Sequence, residues 1–276
     1  MTRALARSDI VAGDRAGGAN TSHTIALELL GRLLATVPGG ASAGDYHRAA
    51  VDDNVLGRST LEGRRRAFRY LRELYLLDPS RLLFRALRDL WDEDPAARPL
   101  LAGLAALARD SVFRASAAAV VPAPPGTVVS SADLARAVAA AFPGSYSGAS
   151  VAKIGRNTGS SWTQTGHLRG RTGKTRVRVE ARPAAAAFAL LLGHVQGARG
   201  QGLFTTRWAG FLDRDAHELT ALVERAGLDG YLENRSAGGV VEIGFRHLLR
   251  PFDREDAEDA EDPKDAESAE SAGGAA

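Results

Sequence analysis

The residues between 145 and 179 have the composition of a surface that binds nucleic acid. The segment contains seven Lys and Arg side chains and no Asp or Glu. Such side chains neutralise phosphates, whereas a solvated face of an ordinary domain mixes both signs of charge. The basic residues are Lys153, Arg156, Arg169, Arg171, Lys174, Arg176 and Arg178. This segment therefore predicts a DNA contact in preference to a merely basic surface.

Short polar side chains lie between these charges. They are Asn157, Ser160, Ser161, Thr163 and Gln164. Residues of these types hydrogen-bond to base edges or to phosphate oxygens, so we expect them to contact DNA with the basic residues. His167 borders the most basic part of the segment, where a structural or phosphate-contacting role is expected rather than catalysis.

A second candidate surface is a predicted helix around residues 61–75. Arg65, Arg69 and Arg72 are spaced i, i+4 and i+7, so they share one helix face. The alternative is a solvated helix face, because Glu73 and Asp78 are close by in the sequence.

The distribution of charge along the chain also indicates an anionic partner. The formal net charge is only +2, but residues 253–276 hold ten acidic and two basic residues. Residues 1–252 therefore hold 33 basic and 23 acidic residues, an excess of ten positive charges. The acidic tail contains almost no apolar side chain larger than Ala, so we expect residues 253–276 to be disordered.

No combination of residues in the sequence indicates an enzyme. The chain has no Cys, which excludes thiol catalysis, disulfides and Cys-based zinc sites. Its six His are scattered, and Leu168 stands where a phosphate-binding loop ending in Gly173-Lys174-Thr175 would need Gly. We therefore expect no cofactor and no metal. Without an apolar span or signal-peptide core, the expected location is the cytoplasm.

The hydrophobic pattern predicts a mainly α fold in three units between polar ends. Residues 1–20 are expected to be disordered, and residues 21–121 to form a helical bundle. Residues 122–182 form the central basic module, after a stiff linker over residues 121–126. Residues 183–252 are predicted to form a helical unit that ends in a small β-hairpin.

The central module is predicted to be like a winged helix-turn-helix. Short helices are expected from Ser130, from Ser147 and over Ser160–Leu168, with a turn at Thr158-Gly159. A hairpin over residues 167–179 would follow them. In a winged helix-turn-helix, one helix enters the major groove and the hairpin, or wing, lies along the DNA backbone.

The order of these segments resembles the BrxA-type small component of BREX phage-resistance systems. The resemblance lies in SHTIALELLGRLLATVPGG, VDDNVLGRSTLEGRRRAFRYLRELYL and LLAGLAALARDSVFRASAAAVV, and it extends over residues 21–250. The matching positions are Asn54, Leu56, Ser59, Arg65 and Arg66. The resemblance implies a non-enzymatic, mostly helical protein that binds double-stranded DNA in a multi-gene antiphage defence system. A methyltransferase and other defence proteins would be its neighbours there.

Two other functions fit the same residues. The chain could be a protein-interaction adaptor that docks an acidic partner on the basic segment, with the helices as a scaffold. It could also be a transcriptional regulator outside any defence system. Salt-dependent binding to duplex DNA separates the adaptor from the other two functions.

Overall fold

A computed structural model describes residues 10–171, 173–237 and 240–250. The chain is mainly helical with two small antiparallel sheets, as the hydrophobic pattern predicts. The helices of the first half are α1 (Leu27–Thr36), α2 (Ala43–Val51), α3 (Leu61–Tyr75), α4 (Leu82–Glu93), α5 (Arg98–Arg109) and α6 (Ser111–Ser116). The acidic tail predicted over residues 253–276 lies outside the described residues.

The helix α5 is the centre of the N-terminal bundle. All its residues from Leu100 to Ala108 are buried, and it packs on α3 and α4. The sequence predicts one helix over residues 96–121, but Asp110 interrupts it. Its backbone is extended, and its Oδ1 accepts a hydrogen bond from the Phe113 amide at 2.8 Å, which caps α6.

The described part of the N-terminus is packed, contrary to the disorder expected over residues 1–20. Ile10 is 2 % exposed, and the Ala12 amide donates to the Ala108 carbonyl at 2.9 Å. The Arg114 guanidinium also bonds Asp14 at 3.0 Å. The Gly and Ala content of this segment indicated mobility. The partners that hold the segment in place lie about a hundred residues away, so the local sequence does not show them.

The central module contains a strand, two helices and a hairpin. These are β1 (Val128–Val129), α7 (Ser131–Ala141), α8 (Gly148–Gln164), β2 (Leu168–Arg169) and β3 (Lys174–Arg176). The strand β3 lies between β1 and β2 in an antiparallel sheet. In register, Val128 is opposite Thr175 and Leu168 is opposite Arg176.

The turn predicted at Thr158-Gly159 is wrong, because α8 continues through it to Gln164. The glycines of α8 allow close packing on α7 instead. A Cβ at Gly155 would lie 2.1 Å from the Ser131 carbonyl oxygen, and one at Gly159 would lie 3.2 Å from Leu134 Cδ1. The module therefore has one long helix where the sequence predicted two short ones.

The C-terminal unit packs on the rest of the chain without a break in the core. It consists of α9 (Pro183–Val195), α10 (Arg207–Gly210), α11 (Ala216–Leu228) and the hairpin of β4 (Glu233–Ala237) and β5 (Val240–Gly244). A 3-10 turn, Gly200–Thr205, precedes α10. The helix α9 is buried from Ala184 to Gly193 and packs on α4, α5 and α11. The larger of two hydrophobic clusters in the described residues joins residues from Ile10 to Leu248, and the smaller one joins Val112, Val138 and Ile154.

Candidate nucleic-acid interface

The N-terminal half of α8 presents a basic face to solvent. The helix begins after Ser147, whose hydroxyl accepts a hydrogen bond from the Ser150 amide at 3.3 Å. Lys153 and Arg156 are exposed and Ser160 is half-buried on the next turn. Their i, i+3 and i+7 spacing aligns these three predicted contacts along one side of the helix.

The β2–β3 hairpin carries the second group of exposed cations. In β2, Leu168 is buried and Arg169 is exposed, as the alternation of a strand requires. Arg171 is exposed in the turn. Lys174 is half-buried, and its Nζ donates to Thr163 Oγ1 at 2.9 Å and to the Gly170 carbonyl at 3.3 Å. The hairpin is thereby fastened to the C-terminal half of α8.

Three of the predicted polar contacts bond to the N-terminal segment instead of facing solvent. Ser161 is fully buried, and its hydroxyl donates to Asn20 Oδ1 at 2.6 Å and accepts from the Ile25 amide at 3.1 Å. Gln164 Oε1 accepts from the Leu27 amide at 2.9 Å. Asn157 Nδ2 donates to the Asn20 carbonyl at 3.1 Å. These side chains hold the central module against the bundle, so they do not belong to the candidate DNA-binding surface.

His167 is also internal, which corrects its assignment as a DNA-contacting residue. Its Nδ1 hydrogen-bonds with Thr165 Oγ1 at 2.8 Å, and its Nε2 with the Phe211 carbonyl at 2.9 Å. Its ring is fully buried beside Trp162 and Phe211. Burial lowers its pKa to about 3, so the ring is neutral near pH 7 and Nε2–H donates to the carbonyl.

Arg176 is the third correction within the basic segment. Its side chain is 1 % exposed and forms an ion pair with Asp213 at 2.9 Å. Its Nε also donates to the Val120 carbonyl at 2.9 Å. Arg178 remains partly exposed but pairs with Glu218 of α11. Both arginines connect the hairpin to neighbouring elements, and Arg176 cannot reach a ligand at the surface.

The helix α3 places Arg65, Arg69 and Arg72 in solvent, as its spacing predicts. Thr60 caps this helix, because its Oγ1 accepts a hydrogen bond from the Gly63 amide at 3.0 Å. The guanidinium of Arg72 lies 5.9 Å from the centre of the Phe68 ring.

An open cavity of about 410 Å³ lies at the C-terminal end of α3. It is lined by Arg69, Arg72, Glu73, Leu76, Asp78 and Arg81. This end of the face mixes both signs of charge, as the solvated-face alternative predicts.

The sequence did not indicate that basic residues of both α3 and α8 act on one histidine, His23. The ring of His23 lies 3.6 Å from that of Tyr70, centre to centre. Arg58, Arg66 and Arg69 from the α3 side and Lys153 from α8 act electrostatically on it. No local pattern signals this arrangement, since His23 is 47 residues from Tyr70 and 130 from Lys153.

Other kinds of site have little support within the described residues. No group of three His, Asp or Glu side chains there is arranged to hold a metal ion. Among the helices of residues 10–171, 173–237 and 240–250, none combines the length and apolar character that crossing a membrane requires. Lys174 belongs to the hairpin and bonds to α8, an arrangement unlike a phosphate-binding loop between a strand and a helix.

The comparisons with known proteins add no assignment. No protein-family model matches the chain, and no curated protein is significantly similar to it.

Proposed function

We propose that the chain is a non-enzymatic protein that binds duplex DNA, with residues 122–182 acting as a winged helix-turn-helix. The helix α8 would enter the major groove and the β2–β3 hairpin would follow the backbone as the wing. The observation that carries the proposal is the order of elements. The helix pair α7–α8 precedes a hairpin whose second strand, β3, lies between β1 and β2. A helix pair followed by a hairpin supports the proposal of a winged module.

The position of the exposed cations supports the same function. Lys153 and Arg156 lie on the outer face of α8, and Arg169 and Arg171 lie on the hairpin. All four belong to a segment without acids in a body with ten excess positive charges. Phosphate contacts supply most sequence-independent affinity, so we expect binding to many duplexes with little sequence preference.

A place in antiphage defence of the BREX type is the narrower part of the proposal. It rests on the resemblance of residues 21–250 to BrxA-type proteins. Deleting the gene from a host that carries the system should raise the plating efficiency of a sensitive phage, and the intact gene should restore protection. Unchanged plating would remove the defence assignment and leave DNA binding to be tested alone.

A salt titration tests the DNA-binding proposal directly. Four phosphate contacts predict that log K falls with log salt at a slope of about −4 or steeper. Fluorescence anisotropy with a labelled duplex of about 20 base pairs, roughly two helical turns, measures this between about 50 and 200 mM salt. Affinity that does not change over this range contradicts the proposal and favours the adaptor function.

A matched pair of variants locates the surface. R169A/R171A removes two hairpin cations and should weaken binding to all duplexes alike, flattening the slope by about 2. R225A removes an exposed charge of α11, paired with Asp229 at 2.9 Å, and should leave the slope unchanged. Equal affinities for the two variants would exclude the hairpin as the DNA-binding surface.

A further inference from the structure

Residues 22–26 lie between α3 and α8. On the α8 side, the Ile25 amide donates to Ser161 Oγ at 3.1 Å, and Asn157 bonds the Asn20 carbonyl just before the segment. On the α3 side, the Tyr75 hydroxyl donates to the Ile25 carbonyl. His23 is therefore held at a junction of two helices by contacts on both sides.

The ring of His23 has a fixed position at this junction. It is half-buried and lies against Tyr70 at a centroid distance of 3.6 Å, with the two ring planes inclined by 42°. The guanidinium of Arg69 lies 5.6 Å from the centre of the same tyrosine ring. Tyr70 thus contacts the His23 imidazole and lies near the Arg69 guanidinium.

Basic side chains of α8, of α3 and just before α3 act electrostatically on this ring. Burial lowers the pKa of His23, and the charges that lower it most are Lys153 of α8, Arg58 before α3, and Arg66 and Arg69 of α3. The Arg66–Glu62 pair spans 3.6 Å between half-exposed side chains, so it neutralises Arg66 weakly. Like charges gathered this way repel one another, and a bound anion relieves the repulsion.

We propose that His23, Arg58, Arg66, Arg69 and Lys153, here called the cationic seam, form a phosphate-binding site that carries the DNA backbone from α8 onto α3. The proposal rests on the DNA-binding function above and extends its surface beyond the winged module. A phosphate offers several acceptor oxygens. The guanidinium fork, the ammonium group and the imidazole N–H are all donors of suitable geometry.

Binding of a phosphate at the cationic seam is coupled to protonation of His23. A phosphate beside His23 favours the imidazolium, so the pKa of this ring rises when DNA binds. Complex formation then takes up a proton, and affinity increases as pH falls through the pKa of the bound state. Below the pKa of the free ring, both states are protonated and the increase stops.

The first experiment measures DNA affinity. R58Q/R66Q removes two seam cations at exposed or loosely paired positions, and R225Q removes one unrelated surface charge. We expect R58Q/R66Q to flatten the salt slope by about 2 and to weaken binding about 10- to 100-fold at 0.1 M salt. R225Q should match wild type. Wild-type affinity and slope in R58Q/R66Q would overturn the proposal.

The second experiment follows His23 itself and separates the seam from the winged module. In wild type, inorganic phosphate or the duplex should raise the NMR-titrated pKa of His23 by about one unit, but phosphate should not do so in R58Q/R66Q. H23Q should remove the DNA-coupled proton uptake. If duplex DNA does not bind but phosphate still shifts His23, the proposed function fails and the anion site stands. If neither phosphate nor duplex shifts the pKa of His23, the proposal of the cationic seam fails, whether or not the winged module binds DNA.

Discussion

Lys174 of β3 donates a hydrogen bond from Nζ to the Oγ1 atom of Thr163 on α8, across 2.9 Å. Two residues predicted as separate DNA contacts, one on the wing and one on the groove helix, are thus partners of each other. Partial burial lowers the pKa of Lys174, which is consistent with a lysine covered by neighbouring protein. This bond links the hairpin to α8.

A double-mutant cycle measures what the bond contributes. T163V and K174M should each lower the free energy of unfolding, and we expect a coupling of about 1 kcal/mol because the pair is partly screened by solvent. T163V keeps the charge of Lys174, so it should reduce DNA affinity less than K174M does. Additive unfolding energies from chemical denaturation would mean that the two side chains do not interact.

Arg176 should matter for stability and not for DNA contact. R176M leaves Asp213 without its buried partner and should lower the free energy of unfolding by about 3 kcal/mol or more. R178A breaks the exposed pair with Glu218 and should cost less than about 1 kcal/mol. Urea denaturation gives both values. A larger loss in R178A than in R176M would contradict the burial of Arg176.

The burial of His167 in its neutral form predicts that the protein loses stability in acid. Its pKa is about 3 in the folded protein and ordinarily 6.5, so the unfolded chain binds the extra proton between these values. Stability is fully present above pH 6.5 and falls as pH drops, by about 2–3 kcal/mol between pH 6.5 and 4.5.

The variant H167Q isolates this effect, because His23 and His194 also have lowered pKa values and add losses of the same sign. H167Q should lose about 2 kcal/mol less than wild type over the same pH interval, measured by denaturation at each pH. Parallel pH dependences for the two proteins would show that His167 is not buried in its neutral form.

The close contact of α7 and α8 predicts opposite effects of two glycine substitutions in one helix. G155A places a Cβ 2.1 Å from the Ser131 carbonyl and should destabilise the protein by about 2–3 kcal/mol. G148A meets nothing within 4 Å and should be neutral or stabilising, by up to about 1 kcal/mol. Thermal melting of both variants is a sufficient test, and a stable G155A would mean that the helices are further apart.

The sequence predicted the existence of most elements, because their signals are local. The capping box at Ser130 and Asp133, the apolar run of α9 and the hairpin at the end of the chain are all present in the structure. The turn predicted at Gly159 is wrong, since a glycine signals a turn and a close helix contact alike.

The candidate site was harder to predict than the elements that carry it. Composition marks a basic segment but does not separate an arginine that faces solvent from one that is buried. The partners of Ser161, His167 and Arg176 lie 141, 44 and 37 residues away in the sequence. Burial of these three residues therefore depends on tertiary packing, for which no local pattern exists.

The hydrogen bonds between residues 20–27 and α8 also constrain how the chain folds during its synthesis. Their partners are separated by 136 to 141 residues, so the early segment leaves the ribosome long before α8 does. At roughly 5–20 residues per second, this delay is about 7 to 30 seconds. During that time the amides of Ile25 and Leu27 lack their partners on α8, Ser161 and Gln164. The N-terminal half therefore completes its packing only after α8 has been translated.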